Sequence, residues 1–304
     1  MLALPQIGLH EMPSSALSQP PVELGSVDSR PELIIQPPVW SPLKAFRGVS
    51  SIAGHWDLLY TFTLHRIRVR YKQSVLGLAW ALLQPLATMA VLTVVFSYIA
   101  RVPTGDMPYA VFALAGLVPW TCFSNAITSG TQSLVGHAAL VTRVYFPREI
   151  LPLTYVFAAF IDGAIAGALL LVVMALSGVA PAASAWLALP ILLILAALVT
   201  GLALAAAATH VQVRDIGVAM PIALQLLLFT SPIAYPLESV PARAAVLFSL
   251  NPMAGIVENF RRVVLGTGPL HVESLLISLA WAIVVLPLAY AYFKHVEATA
   301  ADVV

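Results

Sequence analysis

Six stretches of this 304-residue chain, each close to twenty residues or longer, carry almost no charge: 75–100, 109–130, 151–176, 183–208, 217–235 and 272–293. A helix that crosses a bilayer needs about 20 mostly apolar residues. The rest of the composition agrees with lipid as the solvent. The chain is 60% hydrophobic and 10% charged, with a mean hydropathy of +0.91, whereas a soluble domain carries about 25% charged residues. Too few charges remain to coat a surface facing water. The sequence therefore predicts an all-α integral membrane protein with six transmembrane helices. Spans three and four are divided only by SGVAPAAS (Ser177 to Ser184), a tight turn, and spans four and five by HVQVRD (His210 to Asp215).

Lys and Arg placement sets the orientation, because basic residues accumulate on the cytoplasmic side. With the N-terminus inside, the cytoplasm receives Arg30, Lys44, Arg47, Arg66, Arg68, Arg70, Lys72, Arg143, Arg148, Arg214 and Lys294. The outside receives Arg101, Arg243, Arg261 and Arg262, so the 15 divide as 11 and 4. Both termini are then cytoplasmic. Pro236 to Pro269 contains AAVLFSLNPMAGIVENF, apolar but too interrupted to span twice. A re-entrant helical hairpin between spans five and six, dipping in from the outer face, fits this segment; a helix lying flat on the membrane is the alternative. Such backbone is tolerated at membrane depth where protein or a wet cavity surrounds it.

Residues 1–50 are rich in Pro and Ser, with Pro20-Pro21 and Pro37-Pro38. They lack the basic start and apolar core of a signal peptide and read as a flexible tail. Residues 51–74 follow a helical period, with Trp56, Tyr60, Leu64, Ile67 and Tyr71 on one stripe. Arg66, Arg68, Arg70 and Lys72 accompany it. This predicts an amphipathic helix in the inner headgroup layer, with aromatics anchoring and basic residues meeting lipid phosphate or fixing topology. The transmembrane domain proper then runs over 75–297.

Catalytic constellations are missing from the sequence. The seven His residues are scattered, without HExxH spacing, and no GxSxG occurs. A Walker A loop needs Gly before its Lys, but Lys44, Lys72 and Lys294 follow Leu, Tyr and Phe. The chain is thus expected to be no enzyme, with neither a metal site nor a cofactor of its own. A net charge of +1 argues against a nucleic-acid partner. The single Cys122 sits in an apolar run and reads as a packing residue. Asp162 is an acid within a span, a functional candidate by default. It lies in IDGAIAG, where Gly163 and Gly167 form a small-xxx-small pair suited to close packing. Pairing across helices is the reading preferred over a proton or ion site.

Three blocks, RVRYKQSVLGLAWALLQPL (Arg68 to Leu86), LVPWTCFSNAI (Leu117 to Ile127) and LVTRVYFPREILPL (Leu140 to Leu153), resemble the permease subunits of type-2 ABC exporters for polysaccharides. Those exporters move O-antigen, capsular polysaccharide or teichoic acid. The resemblance covers roughly 55–297. It implies a homodimer in a cell inner (plasma) membrane and a lipid-linked polysaccharide substrate. It also implies two copies of a separate ATPase, where ATP and Mg would reside. A coupling helix that rests in a cleft of the ATPase is expected near Ser133 to Phe146, ended by Pro147, since proline blocks helix continuation. The residues implied in coupling are Leu140, Arg143, Val144, Tyr145, Phe146, Arg148 and Glu149, with Arg214 and Asp215 on the second cytoplasmic link as a minor contact.

Pyranose faces stack on aromatic rings, so an aromatic-walled channel would let a glycan slide. Trp80, Phe96, Phe112, Trp120, Phe123 and Phe229 are the channel-lining candidates, while Tyr98 and Tyr109 fit an interfacial belt. Three other readings stay open. One is a type-2 ABC exporter of a drug or lipid. Another is a membrane enzyme acting on lipid-linked sugars, for which the outer Glu238, Glu258 and Glu273 show no evident partners. The third is a proton-coupled transporter using Asp162.

Overall fold

In a computed structural model, the structure describes residues 54–72, 79–102, 105, 107–144, 146–239, 243 and 248–303, and no strand occurs among them. The tail at 1–50 lies outside the described residues. Helix α1 (Trp56–Lys72) precedes α2 (Ala79–Leu92), whose C-terminal end widens into a π-helix over Thr93–Ile99. Then come α3 (Tyr109–Thr131), the short α4 (Ala138–Arg143), α5 (Ile150–Leu176), α6 (Ala188–Gln212), α7 (Ile216–Thr230), α8 (Pro252–Leu265) and α9 (Val272–Val303).

Five helical segments are long and apolar enough to cross a membrane: Ala79–Ile99, Tyr109–Thr131, Ile150–Leu176, Ala185–Gln212 and Val272–Glu297. The expected fifth span differs. It was read as 217–235, yet α7 covers only Ile216–Thr230, 15 residues. At about 1.5 Å per residue that is roughly 22 Å, short of a hydrocarbon core of about 30 Å. The cause is local. Ser231 precedes Pro232 and is extended (φ −102°, ψ 140°), because a proline ring disfavours helical backbone in the residue before it.

Helix α3 is the centre of the bundle. Its apolar stretch is 78% buried, against 6% for Ala79–Ile99, and it packs on α5, α6 and α8. Close approach of α3 to α5 depends on Gly163, where an added Cβ would overlap the buried Cys122 Sγ. Cys122 is a packing residue, as expected. Gly167 is not part of this contact, since nothing lies within 4 Å of where its Cβ would stand. The small-xxx-small pair is thus used at one position only.

Helix α8 is capped at both ends. Asn251 accepts from the Met253 N–H at 2.9 Å, and Pro252 fills the first helical position, where its missing N–H costs nothing. Gly266 closes the helix in the left-handed region (φ 71°), as a residue without Cβ does readily. All of α8 but Pro252 and Arg262 is buried. A helix lying flat on lipid would keep one face exposed, and α8 does not. The preceding arm of the expected hairpin falls largely outside the described residues.

Candidate functional site

The stretch joining α3 to α5 holds the first candidate surface. After α3, a 3-10 turn at Val135–His137 leads into α4. The helix stops at Arg143 because Val144 is extended (φ −125°, ψ 132°). It therefore ends before Phe146 and Pro147, which had been expected to close it. Leu134 and Val141 anchor the segment by packing into a buried cluster with Leu204, Ala207, Val211 and Phe293. Leu140 is half-buried, while Ala139, Thr142, Arg143 and Val144 are exposed. Tyr145 lies outside the described residues. Phe146, expected to reach a partner, turns inward instead. Its ring meets Phe62 of α1 edge-on at 6.2 Å, because the extended chain at Val144 redirects the residues that follow.

Arg148 and Glu149 are also used inside the subunit. Glu149 is completely buried. Its carboxylate accepts from Lys294 Nζ at 2.8 Å and from the Tyr290 hydroxyl at 3.4 Å. Lys294 also donates to Glu297 at 2.8 Å. Arg148 completes the group, its backbone N–H donating to Glu297 Oε1 at 3.2 Å and its guanidinium to the Glu297 carbonyl at 2.7 Å. Two carboxylates thus face two cations, and a neutral network ties the start of α5 to the C-terminal half of α9. A buried charge is tolerated when paired and hydrogen-bonded in this way. Nothing in the sequence near Glu149 pointed to this network, since Lys294 lies 145 residues away. Arg214 and Asp215 are exposed on the turn joining α6 and α7.

Helix α1 lies against α5, and the aromatic stripe is not the face it buries there. Leu59 and Thr63 are buried, while Trp56 and Tyr60 are more than half exposed. Trp56 meets Phe157 edge-on at 5.7 Å. Arg66 lies 4.3 Å over the Tyr155 ring, a cation–π contact. Arg70 forms an ion pair with Asp162. Both arginines were expected to meet lipid phosphate and instead engage α5. Arg68 is exposed, and the side chains of Tyr71 and Lys72 lie outside the described residues.

The aromatic pool divides by burial. Phe112, Trp120 and Phe123 are at most 5% exposed. They are core of the subunit, and none of the three faces a channel. Phe112 receives the Arg261 guanidinium over its ring at 3.8 Å. Tyr109 is no belt residue, since it stacks on Phe96 at 6.5 Å and donates its hydroxyl to the Ala234 carbonyl at 2.7 Å. Tyr98 is 73% exposed in the π-helix that follows α2. Phe96 is half-buried, and Trp80 and Phe229 are more than half exposed. Glu258, read as partnerless, is paired with Arg261 at 3.1 Å and Arg262 at 2.7 Å. Arg261 also donates to the carbonyls of Pro232 and Ile233 at 2.6 and 3.1 Å, tying α8 to the chain leaving α7.

Residues 58–265 match the family described as ABC-2 type transporter. Among curated relatives, an O-antigen export system permease protein RfbA of Klebsiella pneumoniae is 24% identical over 249 residues, 82% of this chain and 95% of that protein. An O-antigen export system permease protein RfbA of Myxococcus xanthus is 27% identical over 71% of this chain and 84% of its own length. The polysialic acid transport protein KpsM of Escherichia coli is 27% identical over 66% of this chain and 79% of its own.

Proposed function

The chain belongs to the ABC-2 type transporter membrane family, and from that premise we propose that it is the transmembrane subunit of an ATP-driven exporter moving lipid-linked polysaccharide out of the cytoplasm. The cargo class follows the O-antigen and polysialic acid relatives. In this reading α7 serves as a short fifth span of six, both termini are cytoplasmic, and α8 is the returning arm of an outer hairpin. Two copies work with two copies of a separate ATPase that holds the nucleotide and Mg. The exposed face of α4, with Thr142, Arg143 and Val144, meets that ATPase.

One observation carries the transport reading. Helices α2 and α7 each bury a single residue within the subunit, Pro85 and Leu224, and each exposes a glutamine, Gln84 and Gln225. A polar side chain aimed at hydrocarbon is costly, so a span bathed only in lipid has no use for one. Two copies facing each other across these spans would enclose a polar conduit and satisfy both residues.

Deleting the gene and resolving surface and intracellular glycan on gels tests this function. Loss of surface polymer with accumulation of lipid-linked glycan inside is the expected outcome. An unchanged glycan profile would rule out polysaccharide as the cargo.

A further inference from the structure

Between α2, α3 and α5 lies a cavity of about 270 Å³ whose walls are unusually polar for membrane depth. Trp80 and Gln84 reach it from the first turns of α2, Thr121 and Asn125 from the second half of α3, and Asp162 from α5. Arg70 closes the side next to α1 with its ion pair to Asp162. Asp162 is twelve residues past Ile150, the start of α5 (162 − 150), or roughly 18 Å along the helix at about 1.5 Å per residue. In the proposed orientation this places the cavity in the inner half of the bilayer.

The wall chemistry narrows the occupant. The one carboxylate and the one guanidinium are paired with each other, so the cavity carries no net charge and has no surplus cation for a phosphate. What remains is two amides, each with donor and acceptor, and the Thr121 hydroxyl, which donates to the Val118 carbonyl at 3.0 Å and is left to accept. Polar groups at this depth cost several kcal/mol unless they find partners. A ligand suited to them must both donate and accept at several points, and one face must be apolar to lie on the exposed indole of Trp80. The volume falls just below the about 300–1,000 Å³ of a drug-sized site, room for a group about the size of one sugar ring with any attached chain left outside.

Resting on the export reading above, we propose that this cavity is a subsite for one neutral, hydroxyl-rich sugar unit of the cargo. Trp80 is its stacking platform. Gln84, Thr121, Asn125 and Asp162 bond its hydroxyls, and Arg70 holds the Asp162 carboxylate in place. The site opens beside the exposed face of α2, so a chain entering from the inner leaflet would be held here before it advances.

The test uses the full complex in cells making their own surface glycan. Trp80→p-benzoylphenylalanine, which keeps an aromatic ring at the platform, is irradiated beside Phe229→p-benzoylphenylalanine on span five. Polymer-bearing adducts at position 80, absent when glycan synthesis is blocked, are expected. Asn125→Leu should lower their yield about fivefold, the worth of one hydrogen bond. Gln84→Leu, on an exposed side chain, serves as the second variant if Asn125→Leu fails to accumulate. Adducts at position 80 that carry only phospholipid, or no adduct there, overturn the subsite whatever position 229 captures. Polymer at 229 without polymer at 80 removes the subsite and leaves the export reading standing, which fails separately if the gene deletion leaves surface glycan unchanged.

Discussion

Replacing Lys294 by Met should disable the subunit through Glu149 rather than through the lysine itself. The Glu149 side chain is 1% exposed, and Lys294 at 2.8 Å is its cationic partner. Removing one member of a buried pair costs about 3–5 kcal/mol, because the other charge is left without compensation. The Lys294 side chain is 32% exposed, so water already screens part of its charge and the cost belongs at the lower end, about 3 kcal/mol. At about 1.4 kcal/mol per tenfold, that is roughly a hundredfold in the population whose α4–α5 connection is seated on α9. The assay is a double-mutant cycle on the purified complex, reading heat-induced loss of monodisperse protein and ATPase co-purification. Lys294→Met should lower both. Glu149→Gln added to Lys294→Met should recover about 2 kcal/mol, since a neutral amide tolerates burial and still accepts from the Tyr290 hydroxyl. If single and double variants are equally impaired, the uncompensated carboxylate is not the cause. If Lys294→Met changes nothing, the network does not hold the segment.

Three further substitutions probe other parts of the argument. Gly163→Ala should destabilise by about 1–3 kcal/mol through overlap with Cys122 Sγ, and Cys122→Ala should restore most of the loss in thermal midpoint; no rescue would refute this contact. Gly255→Ala puts a methyl group onto the Ser274 carbonyl and the Ser278 hydroxyl, so it should cost more than Gly163→Ala and resist rescue by Ser278→Ala, because backbone cannot yield. Arg143→Glu, on the exposed face of α4, should leave the midpoint within about 0.5 kcal/mol of wild type yet abolish ATPase co-purification. Unchanged co-purification would show that this face is not the docking surface.

The long spans were legible because length and hydropathy are local properties. The third was read as 151–176 and is Ile150–Leu176; the second was read as 109–130 and is Tyr109–Thr131. The fifth was read too far, because SPIAYP is apolar enough to extend a run even though Ser231-Pro232 stops the helix. The fate of the polar residues was not legible. Arg70 and Asp162 are 92 residues apart, and no spacing rule joins groups on different helices. Glu258 appeared partnerless although Arg261 and Arg262 stand at i+3 and i+4 beside it, the distances at which a helix brings side chains together. That pairing could have been read from the sequence once the segment was taken as helical.

The aromatic residues show a limit that belongs to the bilayer itself. In water, a helix declares its buried face because the exposed face must be polar. In hydrocarbon, the side turned to the bundle and the side turned to lipid are equally apolar, so Phe112 and Trp120 in the core read like Trp80 and Phe229 outside it. Hydropathy says that water is absent; it does not say what has replaced it. The informative positions are therefore the few polar ones that burial within the subunit does not account for. Gln84 at the mouth of the cavity on α2 and Gln225 on α7 are exposed, where lipid would penalise them and a polymer of hydroxyls would not. Those two residues, more than any aromatic, argue that the open faces of this subunit meet something wet.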